Sequence, residues 1–228
     1  MANKKSTKKY IRLCGASNPW QANAQITSYH RGNKFQIKSA LINERWTLIP
    51  EGYRKAANIL VAHVVKTRAN IDFLVFPIIF LCRQHLELRM KEIIVNGGKL
   101  LRINDLIDHK KSINIPEVPA NHDLEKVWEV CNKILERIFE YNESVPKCLK
   151  TIDICISDFN KIDPSSMAFR YPSDKKNIEP FAKNVTHINI YKILDKIKET
   201  ADLLDGASTG IDHFLTEQSE YLADHGCL

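Results

Sequence analysis

The chain has 228 residues, 44% apolar and 26% charged, with a net charge of +6. That balance fits a globular chain with one substantial core and excludes a low-complexity or fully disordered polypeptide. Only eight glycines and nine prolines punctuate it, which favours helices over a turn-rich β architecture.

The opening twelve residues, "MANKKSTKKYIR", carry Lys4, Lys5, Lys8, Lys9 and Arg12 without an acid. They read as a basic flexible tail, either simply solvated or drawn to phosphate backbones without sequence preference. No apolar stretch follows to make a secretory signal. Residues 13–228 read as a single domain, with 13–50 an irregular N-terminal extension rich in turn formers.

From Glu51 the pattern turns helical. Tyr53, Ala56, Ala57, Leu60, Val61 and Val64 form one apolar stripe at i, i+3, i+4 spacing. A second helix is expected from about Asp72, its cap, to Val95, with Pro77 near its first turns and "NGG" (96–98) as its stop. A short helical piece, "KLLRINDLIDH", and a proline-bearing loop follow. Asn121 or Asp123 caps a third helix whose stripe is Leu124, Val127, Trp128, Cys131, Ile134, Leu135 and Ile138. A fourth helix spans 146–162, with Pro146 in its favoured first turn. The polar loop "DPSSMAFRYPSDKK" comes next, then "NVTHINI" (184–190) as a short strand, then a last helix over about 190–223. The expected fold is all-α: an up-and-down bundle of four to five long helices, stabilised by packing its stripes together.

The six cysteines, Cys14, Cys82, Cys131, Cys148, Cys155 and Cys227, form no C-x-x-C pair, and four of them sit inside apolar helical patterns. They act as small hydrophobes in a reducing, cytoplasmic setting rather than as disulfides or zinc ligands. The longest apolar run, "FLVFPIIFLC" (73–82), is about half of what a membrane helix needs. The sequence holds no H-E-x-x-H, Walker loop or G-x-G-x-x-G, so neither a metal nor a cofactor is expected.

The second helix poses the main question. "FPIIFLCRQHLELRMKEII" (76–94) is greasy, yet Arg83, His85, Glu87, Arg89 and Lys91 interrupt it. With Arg83 set at zero, Glu87 lies about 40° and Lys91 about 80° round the helix, among Phe76, Phe80, Met90 and Ile94. His85, Arg89 and Glu92 lie on the other side. Charges in such a face must be paired. Arg83 and Glu87 can pair at i, i+4, but Arg-before-Glu is the weaker order, which favours a third partner from elsewhere in the fold. Two readings stand: a structural ion-pair network, or a polar pocket that receives a ligand or a partner chain. In the polar loop, Arg170 and Tyr171 are candidates to grip a phosphate and stack on a base. The alternative is that the loop's aromatics only pin it to the bundle.

Glu87, Leu88 and Lys91, followed by His122, Asp123 and Leu124 with Trp128 one turn on, resemble the HEPN superfamily of helical bundles. The resemblance covers about residues 51–160, and "FRYP" (169–172) is similar to a bacterial HEPN-like subgroup. It implies a homodimer. It also implies either a metal-independent endoribonuclease of a toxin–antitoxin or antiviral defence system, or a non-catalytic subunit that binds a nucleotide, RNA or a protein partner. HEPN nucleases tend to use an Arg, four to six residues, then a His. "RINDLIDH" matches with Arg102 and His109 as the catalytic pair, although in the family the motif commonly sits on a later helix. Arg83, Glu87, Lys91, His122, Arg170 and Tyr171 are then the candidate binding residues. In such a site His transfers protons at the 2′-OH or the leaving oxygen, and Arg stabilises phosphate charge. A third reading keeps the bundle as a scaffold with its charges purely structural.

Overall fold

The structure is a computed structural model that describes residues 45–107, 116–140, 142–163, 166–173, 187 and 189–224. Within them five helices follow in order: α1 (Arg45–Thr67), α2 (Ile71–Ile107), α3 (Leu124–Ile138), α4 (Val145–Ile162) and α5 (Ile190–Asp224). The described residues contain no strand. The basic tail, residues 13–44 and most of the expected 184–190 strand lie outside them. No helix among them is long and apolar enough to cross a membrane.

Helices α2 to α5 close a four-helix ring, in which α2 packs on α3 and α5, and α4 packs on the same two. The periodic stripes meet at its centre. Ile78, Leu86, Met90 and Ile93 of α2 are buried with Val127 and Cys131 of α3, Ile152 and Ile156 of α4, and Leu204 and Ile211 of α5. Six of the seven expected stripe residues of α3 are buried, and Ile138 is partly buried. Helix α1 lies alongside, anchored by buried Ala57 and Val64. Three core cysteines, Cys82, Cys131 and Cys155, are free. Burial pushes the Cys82 thiol up to about 12, and raises Cys131 and Cys155 as well, so these groups stay neutral and pack as hydrophobes.

Local signals set most of the helix ends. Asp123 caps α3, accepting from the backbone N–H groups of Glu125 and Lys126 at 3.1 and 3.4 Å. Pro146 falls in the first turn of α4, where its missing N–H leaves no helical bond unmade. Asp72 is not the cap of α2. The Asn70 carbonyl, in the left-handed region at φ 61°, accepts from Phe73 and Leu74 N–H at 3.1 and 2.9 Å, and Asp72 places its charge in the first turn.

Two expectations fail. Helix α1 begins at Arg45 and carries Pro50 inside it, so the last residues of the expected irregular extension are helical. And "NGG" does not stop α2, which runs 37 residues to Ile107, about 55 Å. Gly97 serves packing rather than termination. A Cβ there would sit 2.6 Å from Ile134 Cγ2 and 3.0 Å from Ile138 Cδ1, so the glycine lets α2 and α3 approach closely. Gly97→Ala should therefore lower unfolding stability by ~1–2 kcal/mol, the overpacking penalty exceeding the gain in helix propensity. Gly206→Ala, on α5 with nothing within 4 Å of its built Cβ, should raise stability by about 0.5–1 kcal/mol. Urea unfolding of the two variants checks both signs; a Gly97→Ala protein as stable as Gly206→Ala would contradict the close approach.

Candidate functional site

The charged side chains of α2 divide into two buried clusters. On one flank Arg83, Glu87 and Lys91, one turn apart, face the start of α3 and the turn after α4. Glu87 is 1% exposed and accepts from three donors. Its Oε1 receives Lys91 Nζ at 2.9 Å and His122 Nδ1 at 2.8 Å, and its Oε2 receives Arg83 Nη1 at 3.1 Å. Arg83 Nη2 also donates to the His122 carbonyl at 2.6 Å and to the Ser166 hydroxyl. Ser166 in turn donates to the same carbonyl at 2.6 Å. Lys91 donates to the Asn121 carbonyl at 3.1 Å. The Arg83–Glu87 pair thus has the outside partners that its unfavourable order called for.

Asp163, the C-cap residue of α4, completes the cluster. Its Oδ1 accepts from Met167 and Ala168 N–H at 2.8 and 3.0 Å, and its Oδ2 lies 3.8 Å from Arg83 Nε. These bonds fold the turn that holds Ser166 at φ 63°. Arg170 then donates from Nε and Nη2 to the Ser166 carbonyl at 2.9 and 2.6 Å, and its guanidinium lies over the Phe80 and Tyr171 rings at 5.9 and 5.8 Å. Phe169 is buried and pins the turn, whereas Tyr171 is half exposed.

The charge balance here is even, with Arg83 and Lys91 set against Glu87 and Asp163. Burial raises the Glu87 pKa, but the hydrogen bonds from Lys91 and His122, and the Lys91 and Arg83 charges, outweigh it and hold the carboxyl below its usual range. Burial lowers Arg83, opposed mainly by Glu87 and Asp163. A carboxylate only accepts hydrogen bonds, so His122 Nδ1 must carry the proton it gives to Glu87, which leaves Nε2 as the open nitrogen. The imidazole is 59% exposed. The result is a solvent-facing histidine oriented by a buried carboxylate, an arrangement suited to proton transfer.

The other flank of α2 faces α1 and α5. Arg89 donates to Glu92, and its Nε lies 2.6 Å from Asp205 Oδ1. Arg54 of α1 bonds both Asp205 and Asp202 of α5. His85, 1% exposed, donates from Nδ1 to the Pro50 carbonyl at 3.0 Å, with Nε2 3.6 Å from Asp205. Burial lowers the His85 pKa to about 4, and the Arg89 and Arg54 charges add to this. The hydrogen bond to the Pro50 carbonyl and the Glu51 charge oppose this without outweighing it, so His85 is neutral at pH 7. Sequence reasoning missed Arg54, Asp202 and Asp205 as members. Their only trace was a pair of acids at i, i+3 flanking Leu204 on an otherwise amphipathic helix.

Of the expected binding residues, Arg83, Glu87, Lys91 and His122 meet directly. Arg170 joins them through Ser166, and Tyr171 flanks Arg170. The expected catalytic pair is a different matter. Arg102 is exposed near the end of α2, about 22 Å along the helix axis from Glu87, and His109 lies outside the described residues, as do Asp174, Lys175 and Lys176 of the polar loop. Among the described residues no group of three or more His, Cys, Asp and Glu side chains gathers as metal ligands. No known protein family, curated protein or solved structure matches the chain.

Proposed function

We propose that this protein is a HEPN-like bundle that binds RNA at the surface formed by His122, Arg170 and Tyr171, and cleaves it without metal. It works as a homodimer of the toxin or antiviral-defence type. The observation that carries this reading is the His122 ring, oriented by buried Glu87 and open to solvent at Nε2. In the proposed reaction Nε2 accepts the proton of a ribose 2′-OH, and that oxygen attacks the adjacent phosphorus. The 5′-oxygen leaves with a proton taken from water, a cyclic phosphate remains, and the His122 imidazolium returns its proton to solvent. Arg170 stabilises the phosphate charge and Tyr171 offers a ring for base stacking.

A second reading, a non-catalytic subunit for a nucleotide, RNA or protein partner, is favoured by the charge balance. Arg83 and Lys91 are neutralised by Glu87 and Asp163, which leaves Arg170 as the cation nearest the surface of this cluster.

The test incubates purified protein with mixed cellular RNA in EDTA. His122→Asn keeps a donor for Glu87 but cannot shuttle a proton, so cleavage should fall by about 10²-fold or more. Arg102→Ala and His109→Ala should cleave like the parent. Loss of cleavage in those two but not in His122→Asn would return the chemistry to the pair implied by the HEPN resemblance. Wild-type protein that retains RNA without cutting it would establish the second reading, and protein that does neither would sink both.

A further inference from the structure

A separate cleft of about 290 Å³ opens between α4 and α5. Its walls are Ile79 of α2, Phe159 of α4, Ile193 and Ile197 of α5, and Phe169 from the turn after α4. Cys155 is there too, but its thiol is held neutral by burial and contributes only volume. Such a surface accepts a body without polar atoms, because a buried polar group would find no partner there.

The mouth has the opposite character. Lys161, Lys192 and Lys196 stand on it with a single acid, Asp158. Asp158 accepts from both Lys161 and Lys196, at 3.1 and 2.6 Å. Lys192 has no carboxylate partner among the described residues. It lies one turn from Lys196 on α5, and with three lysines against one acid the mouth keeps a net positive charge that an anion would offset. At the roughly 30 Å³ that a water molecule occupies in the liquid, the cleft has room for about ten waters, a space of small-molecule size.

We infer that this cleft binds a medium-chain carboxylate, its alkyl tail against the Ile79, Phe159 and Ile197 walls and its carboxylate between Lys192 and Lys196. The apolar lining selects the chain and the lysine-rich mouth selects the anionic end. Neither feature is used by the RNA reading, so the two stand or fall apart.

Octanoate is the probe, titrated calorimetrically into the full chain beside butyrate and 1-octanol. Octanoate should bind at one site, with butyrate and 1-octanol at least about tenfold weaker. Lys192→Glu changes an exposed side chain and should raise the octanoate Kd about tenfold or more. Ile193→Trp fills the cleft and should abolish binding. No octanoate binding, or 1-octanol binding as tightly as octanoate, would overturn the assignment. So would an octanoate Kd unchanged in Lys192→Glu, a variant whose fold does not depend on the substituted side chain.

Discussion

Glu87→Gln should lower the free energy of unfolding by about 3–5 kcal/mol, the usual consequence of leaving buried charges without their counter-charge. The substitution changes neither size nor shape, so packing cannot account for the effect. Glu87 is surrounded by donors: Lys91 and His122 on one oxygen, Arg83 on the other. An amide can serve only one side. Turned toward Arg83 its NH2 group confronts a donor, and turned the other way it confronts Lys91 with only His122 Nδ1, in its other tautomer, as an acceptor, while Arg83 and Lys91 keep only the Asp163 carboxylate, 3.8 Å from Arg83 Nε, as a counter-charge. Urea unfolding at pH 7 measures the change. A loss below about 1 kcal/mol, the level of an exposed ion pair, would mean that water reaches the cluster and that the buried network is not what holds α3 and the 163–170 turn to α2.

The second large effect follows from His85. In the unfolded chain its pKa is near 6.5, and in the folded protein burial lowers it to about 4. Between those values the unfolded state binds the extra proton, so stability falls as pH drops through that window and levels off below it. At about 1.4 kcal/mol per pH unit the loss amounts to ~3 kcal/mol. Glu87 behaves differently. Its folded pKa is depressed from 4.5, so its contribution persists above that value and fades at more acidic pH. His85→Asn retains a donor for the Pro50 carbonyl and removes the titration. Chemical unfolding from pH 7 to pH 4 should show the variant losing about one proton's worth of pH dependence relative to the parent. Parallel stability curves for the two proteins would show that His85 titrates normally and is reached by solvent.

How much of this could be read from the chain follows from the range of each signal. Stripes such as Leu124–Val127–Trp128–Cys131 report burial through a helical period that only neighbouring residues are needed to see, and α3, α4 and α5 lie close to where the pattern puts them. The Arg83–Glu87 pairing and its need for an outside partner were legible for the same reason. The identity of those partners was not fully so. Asp163 and Ser166 come into reach through a turn whose shape depends on Asp163 accepting two backbone N–H groups. Arg54 and Asp205 are separated by 151 positions, and nothing local links them. "NGG" misled because glycine permits two things at once, a helix end or a close approach, and the deciding atoms, on Ile134 and Ile138, belong to another helix.

Helix α2 is gripped on two flanks by charges of fixed geometry, with Glu87 on one side and Arg89 on the other. A greasy seam alone would let such a rod slip by a residue or roll in its groove, trading one set of methyl contacts for another of similar worth. Here a one-residue slip means about 1.5 Å of travel and 100° of rotation, and it would unseat both ion clusters together. The embedded charges thereby fix the rod's register, and with it the direction in which every side chain along its length points.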